Sequence, residues 1–335
     1  MSPLAEVAQV FLRLGCTAFG GPAAHLALME REVVQRRGWV THAELLDLIG
    51  AANLIPGPNS TEVALHLGHR RAGWPGLLIA GFCFIMPSTI LTAALAHAYV
   101  TYGTRPDVAR GLIVLELVIL YVVAQAIVRL TRTAIKSRRH AALAAFSVAL
   151  LAAGVDELAT LIACGGAALL VLPRGPTPAR PAPYPEPVAG GAPLAPLLAT
   201  PALAGIGSGA LFLYFLKIGS ILYGSGYVLI AFLRADLVGR WHWLTEAQLV
   251  DMVALGQLTP GPLSSTATAI GWLLAGPAGA AAATAGMFLP AFMFVACSGW
   301  LVPRLRSSPT AAVFLDGVNL ASLVLMTWAA ALLIP

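Results

Sequence analysis

Apolar positions run through this chain in long, nearly unbroken blocks, and no block alternates with a period of two. Trp74–Tyr99, Gly111–Leu130, Pro277–Val302 and Ala311–Ile334 are each long enough for a spanning helix, which needs about 20 apolar residues to cross a hydrocarbon core of ~30 Å. Without ten-residue alternation, an outer-membrane barrel is excluded. Two shorter apolar stretches, Ala141–Gly154 and Leu158–Leu172, read as a helical hairpin. Two long ones, about Pro3 to Val34 and Leu197 to Leu233, are interrupted by FGGP at Phe19–Pro22 and YGSG at Tyr223–Gly226. Glycine and proline at those points break the helix inside the membrane. Each half also holds two half-length helices joined by Pro-Gly-Pro, Ala43–Ile55 with its successor to about His69, and Glu246–Leu258 with Leu263–Leu274. These predict re-entrant hairpins whose irregular backbone is shielded from lipid.

The two halves repeat. Phe11 to Thr61 aligns without a gap to Phe215 to Ser265 at an offset of 204, with 17 of 51 positions identical, where chance gives about three. Arg13 faces Lys217, Gly15 faces Gly219, Asp47 faces Asp251, and Pro56-Gly57-Pro58-x-Ser60 faces Pro260-Gly261-Pro262-x-Ser264. One residue of slippage later, Pro87 matches Pro290. A proline-dense stretch separates them, so residues 1–172 form an N-terminal repeat, 173–196 a linker, and 197–335 a C-terminal repeat.

Composition turns these elements into a class. Of 335 residues 58% are hydrophobic and 10% charged, against roughly 25% charged in a soluble domain. Mean hydropathy is +0.82. The chain reads as an all-α polytopic membrane protein of roughly ten segments, embedded in a lipid bilayer. The formal charge of +5 is scattered over loops and forms no stripe for nucleic acid. Its densest cluster, Arg129, Arg132, Lys136, Arg138 and Arg139, places that loop in the cytoplasm. Counting outward, Arg31, Arg36, Arg37, Arg70 and Arg71 fall on the same side, and so do Arg304 and Arg306. Halves of opposite orientation would give this bias, and inverted repeats with broken helices are an architecture of secondary transporters. Cys16, Cys83, Cys164 and Cys297 stand apart with no ligand spacing, so no metal or cofactor is expected.

The rare polar residues in apolar segments carry the candidate chemistry. Arg13 and Lys217 are repeat-related cations, costly in the membrane unless they face a partner or a wet cavity, and together they suit an anion. The helices that begin after Pro58 and Pro262 present unpaired N–H groups and a positive dipole end. Asn59, Ser60, Thr61, Ser264 and Ser265 add groups that cap those helices or donate to an oxyanion. Glu116, Asp47, Asp251 and Glu62 are the carboxyls available for proton coupling. Glu62 and His66 lie one turn apart, and Glu62 faces Thr266 in the repeat. His25 and His97 read as structural, and Trp39 and Trp243 as interface anchors.

The stretches FLRLGCTAFGGPAAHLALMEREVVQRRGWVTHAELLDLIGAANLIPGPNST and FLKIGSILYGSGYVLIAFLRADLVGRWHWLTEAQLVDMVALGQLTPGPLSS resemble the two signatures of the chromate ion transporter family, in its two-domain form. That resemblance implies halves lying antiparallel in a bacterial or archaeal-type inner membrane. It also implies export of chromate from the cytoplasm, chromate resistance, energy from the proton motive force, and sulfate as a look-alike. A homodimer is left open. Carried over onto this sequence, the family's functional positions are Arg13, Phe19, Gly20, Gly21, Pro22, Pro56, Gly57, Pro58, Ser60 and Thr61. Their counterparts are Lys217, Tyr223, Gly224, Ser225, Pro260, Gly261, Pro262, Ser264 and Ser265. The second copy departs at Ser225, Gly226 and Leu263. A carrier for sulfate or molybdate would share these features. So would the anion site of a membrane enzyme acting on polyprenyl phosphates, although hydrolysis calls for a convergent Glu/His/Ser set or a metal cluster that does not recur here.

Overall fold

The computed structural model describes residues 2–19, 21–103, 105, 121, 124–125, 127–128, 131, 134–135, 137–173, 207–223 and 228–332. All regular structure among them is helical.

Helix α1 spans Pro3–Thr17. Ser2 caps it, its hydroxyl accepting from the Ala5 N–H at 3.3 Å, and proline takes the first turn, where no donor is needed. Val7, Val10, Phe11 and Leu14 form its buried stripe at helical spacing. The chain leaves the helix at Ala18 in an extended conformation, turns at Gly21 with φ 77°, and restarts as α2, Gly21–Glu30, which widens into a π-turn over Arg31–Arg36. A capping box between Thr41 and Glu44 begins α3, His42–Ala52. After Pro56-Gly57-Pro58 comes α4, Asn59–Tyr102.

Continuous by hydrogen bonding, α4 is two segments. Ala72 (φ −145°) and Gly73 (φ 63°) break it, and the chain folds back on itself. A Cβ on Gly68 would come 2.4 Å from both the Ala80 Cβ and the Gly76 carbonyl. Only glycine permits backbones that close. Trp74 to Tyr102, at 1.5 Å per residue, is about 43 Å long and is the part able to cross a bilayer.

The second half rebuilds this sequence of events. Helix α7 (Ser208–Ile221) stops at Leu222, and α8 (Val228–Leu233) widens into a π-turn over Arg234–Arg240. A capping box of Thr245 with Gln248 starts α9 (Glu246–Leu258). Past Pro260-Gly261-Pro262, a short 3₁₀ turn leads into α10 (Thr266–Ser307), broken at Ala275 (φ −146°) and Gly276 (φ 62°). The two breaks agree within a degree in φ, one residue short of the offset, where Pro290 also falls. Helix α11 (Pro309–Leu332) ends the described chain. At the end of the first half, α5 (Arg138–Ala152) and α6 (Glu157–Val171) follow one another and pack together. The linker beyond residue 173 and most of Gly111–Leu130 lie outside the described residues.

Within each half the first helix packs lengthwise on the long helix, α1 on α4 and α7 on α10. Gly15 and Gly219 set the distance, since a Cβ on either would come within 2.8 Å and 2.4 Å of a facing backbone carbonyl. The halves meet where α10 crosses α4, around Ala51, Ile55, Leu65, Leu77, Ala291, Val295 and Val302. Helix α11 covers α5, α6 and α8 and closes the larger of the two remaining cores. Among the described residues three helical stretches, Asn59–Tyr102, Leu263–Gly299 and Pro309–Ala331, are apolar and long enough to cross a membrane.

Candidate functional site

Each Pro-Gly-Pro tip docks into the broken first helix of the opposite half. The Gly57 N–H donates to the Leu222 carbonyl at 2.7 Å, and the Gly261 N–H donates to the Ala18 carbonyl at 2.8 Å. Ala18 and Leu222 are the residues at which α1 and α7 stop, and they occupy one repeat position. Both tips are buried, so an N–H there must find an acceptor. Gly57 and Gly261 hold φ of 143° and 103°, a region open to glycine. The two contacts cross at the junction of the halves.

Around this crossing lie polar side chains of two kinds. The first kind is satisfied. His25, 1% exposed, donates from Nε2 to the Ala18 carbonyl at 3.1 Å, and its Nδ1 accepts from the Ser60 hydroxyl at 3.2 Å; these partners assign the tautomer. The second kind is not. Thr61 Oγ1, Ser264 Oγ, Ser265 Oγ and both Glu62 carboxylate oxygens are buried without a hydrogen-bond partner. Ser264 differs from Ser60 because Leu229 stands where the first half has His25. Thr266, at the place of Glu62, donates to the Leu263 carbonyl at 2.9 Å. Glu62 lies against its own tip, and within electrostatic reach of the Tyr223 phenol. Buried donors clustered at two helix starts with no acceptor are suited to a polar ligand, preferably an oxyanion.

The other sequence candidates are placed as follows. Arg13 stands on the exposed face of α1 with Gln9, Cys16 and Thr17. Lys217 is half-buried on α7 and acts electrostatically on Asp236, which also accepts from Arg240 at 2.9 Å. Phe19 is exposed, and Gly21 and Pro22 open α2 half-buried. Asn59 donates to Asn53 Oδ1 at 2.6 Å. Asp251 is buried and accepts from the Tyr99 hydroxyl of the other half at 2.7 Å, whereas its repeat mate Asp47 is exposed. Gly20, Gly224, Ser225 and Glu116 lie outside the described residues. The structure thus brings together Pro56–Thr61, Pro260–Ser265, Glu62 and Tyr223.

The sequence reading missed a set of repeat-related ion pairs. Glu32–Arg36 at 3.0 Å matches Asp236–Arg240 at 2.9 Å. The His42–Glu30 contact at 2.9 Å matches Arg234–Glu246 at 2.6 Å with the acid and the base exchanged. The offset of 204 would have revealed both. Arg37 and Arg71 converge on Glu6 at 2.8 and 2.6 Å, and Trp39 donates to the same carboxylate at 3.2 Å. In the turn before α6, burial pushes the Asp156 carboxyl up, but Arg240 at 2.9 Å and two backbone N–H groups outweigh it and hold it below the usual carboxylate range. Among the described residues no group of three or more His, Cys, Asp or Glu could hold a metal ion.

The family model described as chromate transporter matches residues 5–170 and residues 209–334, one match on each half. The chromate transport protein of Cupriavidus metallidurans is 30% identical over 335 residues, covering 97% of this chain and 81% of that protein. The probable chromate transport protein of Synechococcus elongatus is 30% identical over 325 residues, covering 95% and 81%. The chromate transport protein of Pseudomonas aeruginosa is 31% identical over 317 residues, covering 92% and 76%. No solved structure matches. With its tips, broken helices and both halves inside that match, the chain belongs to the chromate transporter family.

Proposed function

We propose that this protein is a secondary transporter that carries chromate out of the cell across the plasma membrane, with energy drawn from the proton motive force. The supporting observation is the cluster of buried, partnerless hydroxyls of Thr61, Ser264 and Ser265 at the two crossed tips, in a chain whose two halves each match the chromate transporter family. Chromate is a tetrahedral dianion. Two helix starts, each a positive dipole end with partnerless hydroxyls beside it, offer it donors on more than one side. Arg13 and Lys217, on the first helices, add positive potential without a redox ligand.

In this reading the halves are inverted in the bilayer. Helix α3 with the first segment of α4, and α9 with the first segment of α10, are re-entrant hairpins. Eleven residues in α3 make a rod of about 16 Å, half the ~30 Å needed to cross. The long arms of α4 and α10, α11, the broken first helices and the α5–α6 pair then bring the chain to roughly ten segments. Access alternates as one half rocks against the other around the tips. Asp47, Asp251 and Glu116 stand as further proton-coupling candidates, and sulfate, equal in shape and charge, as the natural competitor.

Radiolabelled chromate flux in proteoliposomes, under imposed pH and potential gradients, tests substrate, direction and coupling together. Flux above protein-free vesicles, competed by sulfate and lost in Thr61→Ala/Ser264→Ala, is expected. Flux no greater than in empty vesicles refutes it.

A further inference from the structure

Glu62 sits in the first turn of α4, fully buried, with neither carboxylate oxygen hydrogen-bonded. It points at its own tip, because a Cβ on Gly57 would come 2.3 Å from Oε1. It therefore borders the hydrogen bond by which that tip docks on Leu222, and Tyr223 follows Leu222. The charged and titratable groups brought by the surrounding elements are few. His66 lies one turn on along α4. Helix α2 brings His25, engaged by Ser60 and Ala18, and Glu30, paired with His42; α7 leads to Tyr223 and carries Tyr214 and Lys217; α1 brings Arg13 and Glu6, the latter held by Arg37 and Arg71. Helix α3 brings His42, Glu44 and Asp47, and α9 brings Glu246 and Asp251, the latter bonded to Tyr99. Helix α10 has no acidic or basic side chain before Arg304. None of the hydrogen bonds and ion pairs described above falls on the Glu62 oxygens.

A dianion at the tips would sit beside this carboxyl, next to the partnerless hydroxyls of Thr61, Ser264 and Ser265. An ionised carboxylate there repels it in a low-dielectric setting. A protonated one adds a donor to an anion that can only accept. We propose that oxyanion binding at the crossed tips takes up one proton on Glu62, so that proton and anion travel together and do not exchange. The inference rests on the tips being the anion site. In the step, one carboxylate oxygen of Glu62 gains a proton from bulk water. The O–H bond so formed then donates to an oxygen of the anion. Nothing is oxidised or reduced, and one positive charge accompanies each dianion. Each outward turnover then moves one net negative charge, which an interior-negative potential drives and an interior-alkaline pH gradient opposes. Because Thr266 replaces Glu62 in the repeat, there is one such carboxyl for the two tips.

The test uses the purified full chain in detergent, radiolabelled chromate, and the alkaline pH range in which chromate stays a dianion. Linkage of one proton to one anion raises the apparent Kd of the wild type about tenfold per pH unit, once the carboxyl ionises. A pH indicator in weak buffer then registers one proton taken up per chromate bound. Glu62→Gln should bind with a pH-flat affinity and no proton uptake, and Glu62→Asp should keep both signals. A wild type that binds chromate with flat affinity and no proton uptake overturns the proposal without any variant having to fold. So does a pH slope that survives in Glu62→Gln. A wild type that binds no chromate at any pH overturns the anion-site reading itself, and this inference with it.

Discussion

The close approach of the second tip to α4 is testable by adding one methyl group. At Gly261→Ala the new Cβ would lie 2.8 Å from the Ser88 Cβ and 3.3 Å from its Oγ. The nearer atom is fixed to the α4 backbone and cannot swing away. Left-handed φ costs a non-glycine residue roughly 1–2 kcal/mol, and inserting a methyl group where no space exists costs typically 1–3 kcal/mol. The variant should therefore lose about 2–5 kcal/mol, or shift the tip and break the Gly261–Ala18 hydrogen bond. Gly38→Ala supplies the comparison, because Gly38 also has positive φ, 60°, but has nothing within 4 Å of the added Cβ. It should show the conformational cost alone. Ser88→Gly combined with Gly261→Ala removes the clashing atom and should recover about 1–3 kcal/mol in a double-mutant cycle. Thermal unfolding of the purified proteins in one detergent, with chromate flux alongside, reads both quantities. Equal losses for Gly261→Ala and Gly38→Ala, with no recovery from Ser88→Gly, would refute the steric reasoning and with it the tight docking of this tip.

Other expectations follow from the same geometry. Ser60→Ala leaves a buried His25 Nδ1 without a donor and should cost about 1–3 kcal/mol in thermal unfolding. His25→Leu combined with Ser60→Ala, which copies the leucine of the other half, should cost less than the sum of the single changes. Exchanging Arg234 and Glu246 for each other's residue should restore what either single reversal loses, within the ~1 kcal/mol that a partly exposed pair is worth; failure of the exchange would mean that the pair does not interact. Because the folded Asp156 carboxyl is held below its ordinary range, its contribution is present above the unfolded-state value and is lost as pH falls through the lowered folded value. Arg240→Gln should accordingly flatten the acid side of the melting-temperature profile.

Local chemistry was legible in the sequence because it is written in neighbouring residues. The capping threonines, the Pro-Gly-Pro tips and the breaks near Gly73 and Gly276 fall where composition and the offset place them. What links distant segments was not legible. Nothing in periodicity says that the Gly57 N–H reaches Leu222, or that His25 serves as acceptor to Ser60. Those pairings depend on how α10 crosses α4. The exchanged Glu30–His42 and Arg234–Glu246 contacts escaped for a related reason: an identity count discards a position where charge reverses, although the contact survives. Arg13 and Lys217 align, and by sequence alone they are equivalent. The structure sets one on an exposed face and the other beside Asp236, since the helices around them differ.

The reciprocal docking of the tips also bears on how such a molecule can be assembled. Neither half completes itself: each offers a glycine N–H whose acceptor lies in the other, at the carbonyl where the other's first helix stops. Cut at its linker, the protein would become two complementary fragments, each with an unclosed break and an undocked tip. Their recovery should require synthesis together. A chain carrying one half alone could make the same two bonds only by meeting a second copy about a two-fold axis, so covalent fusion here substitutes for dimerisation.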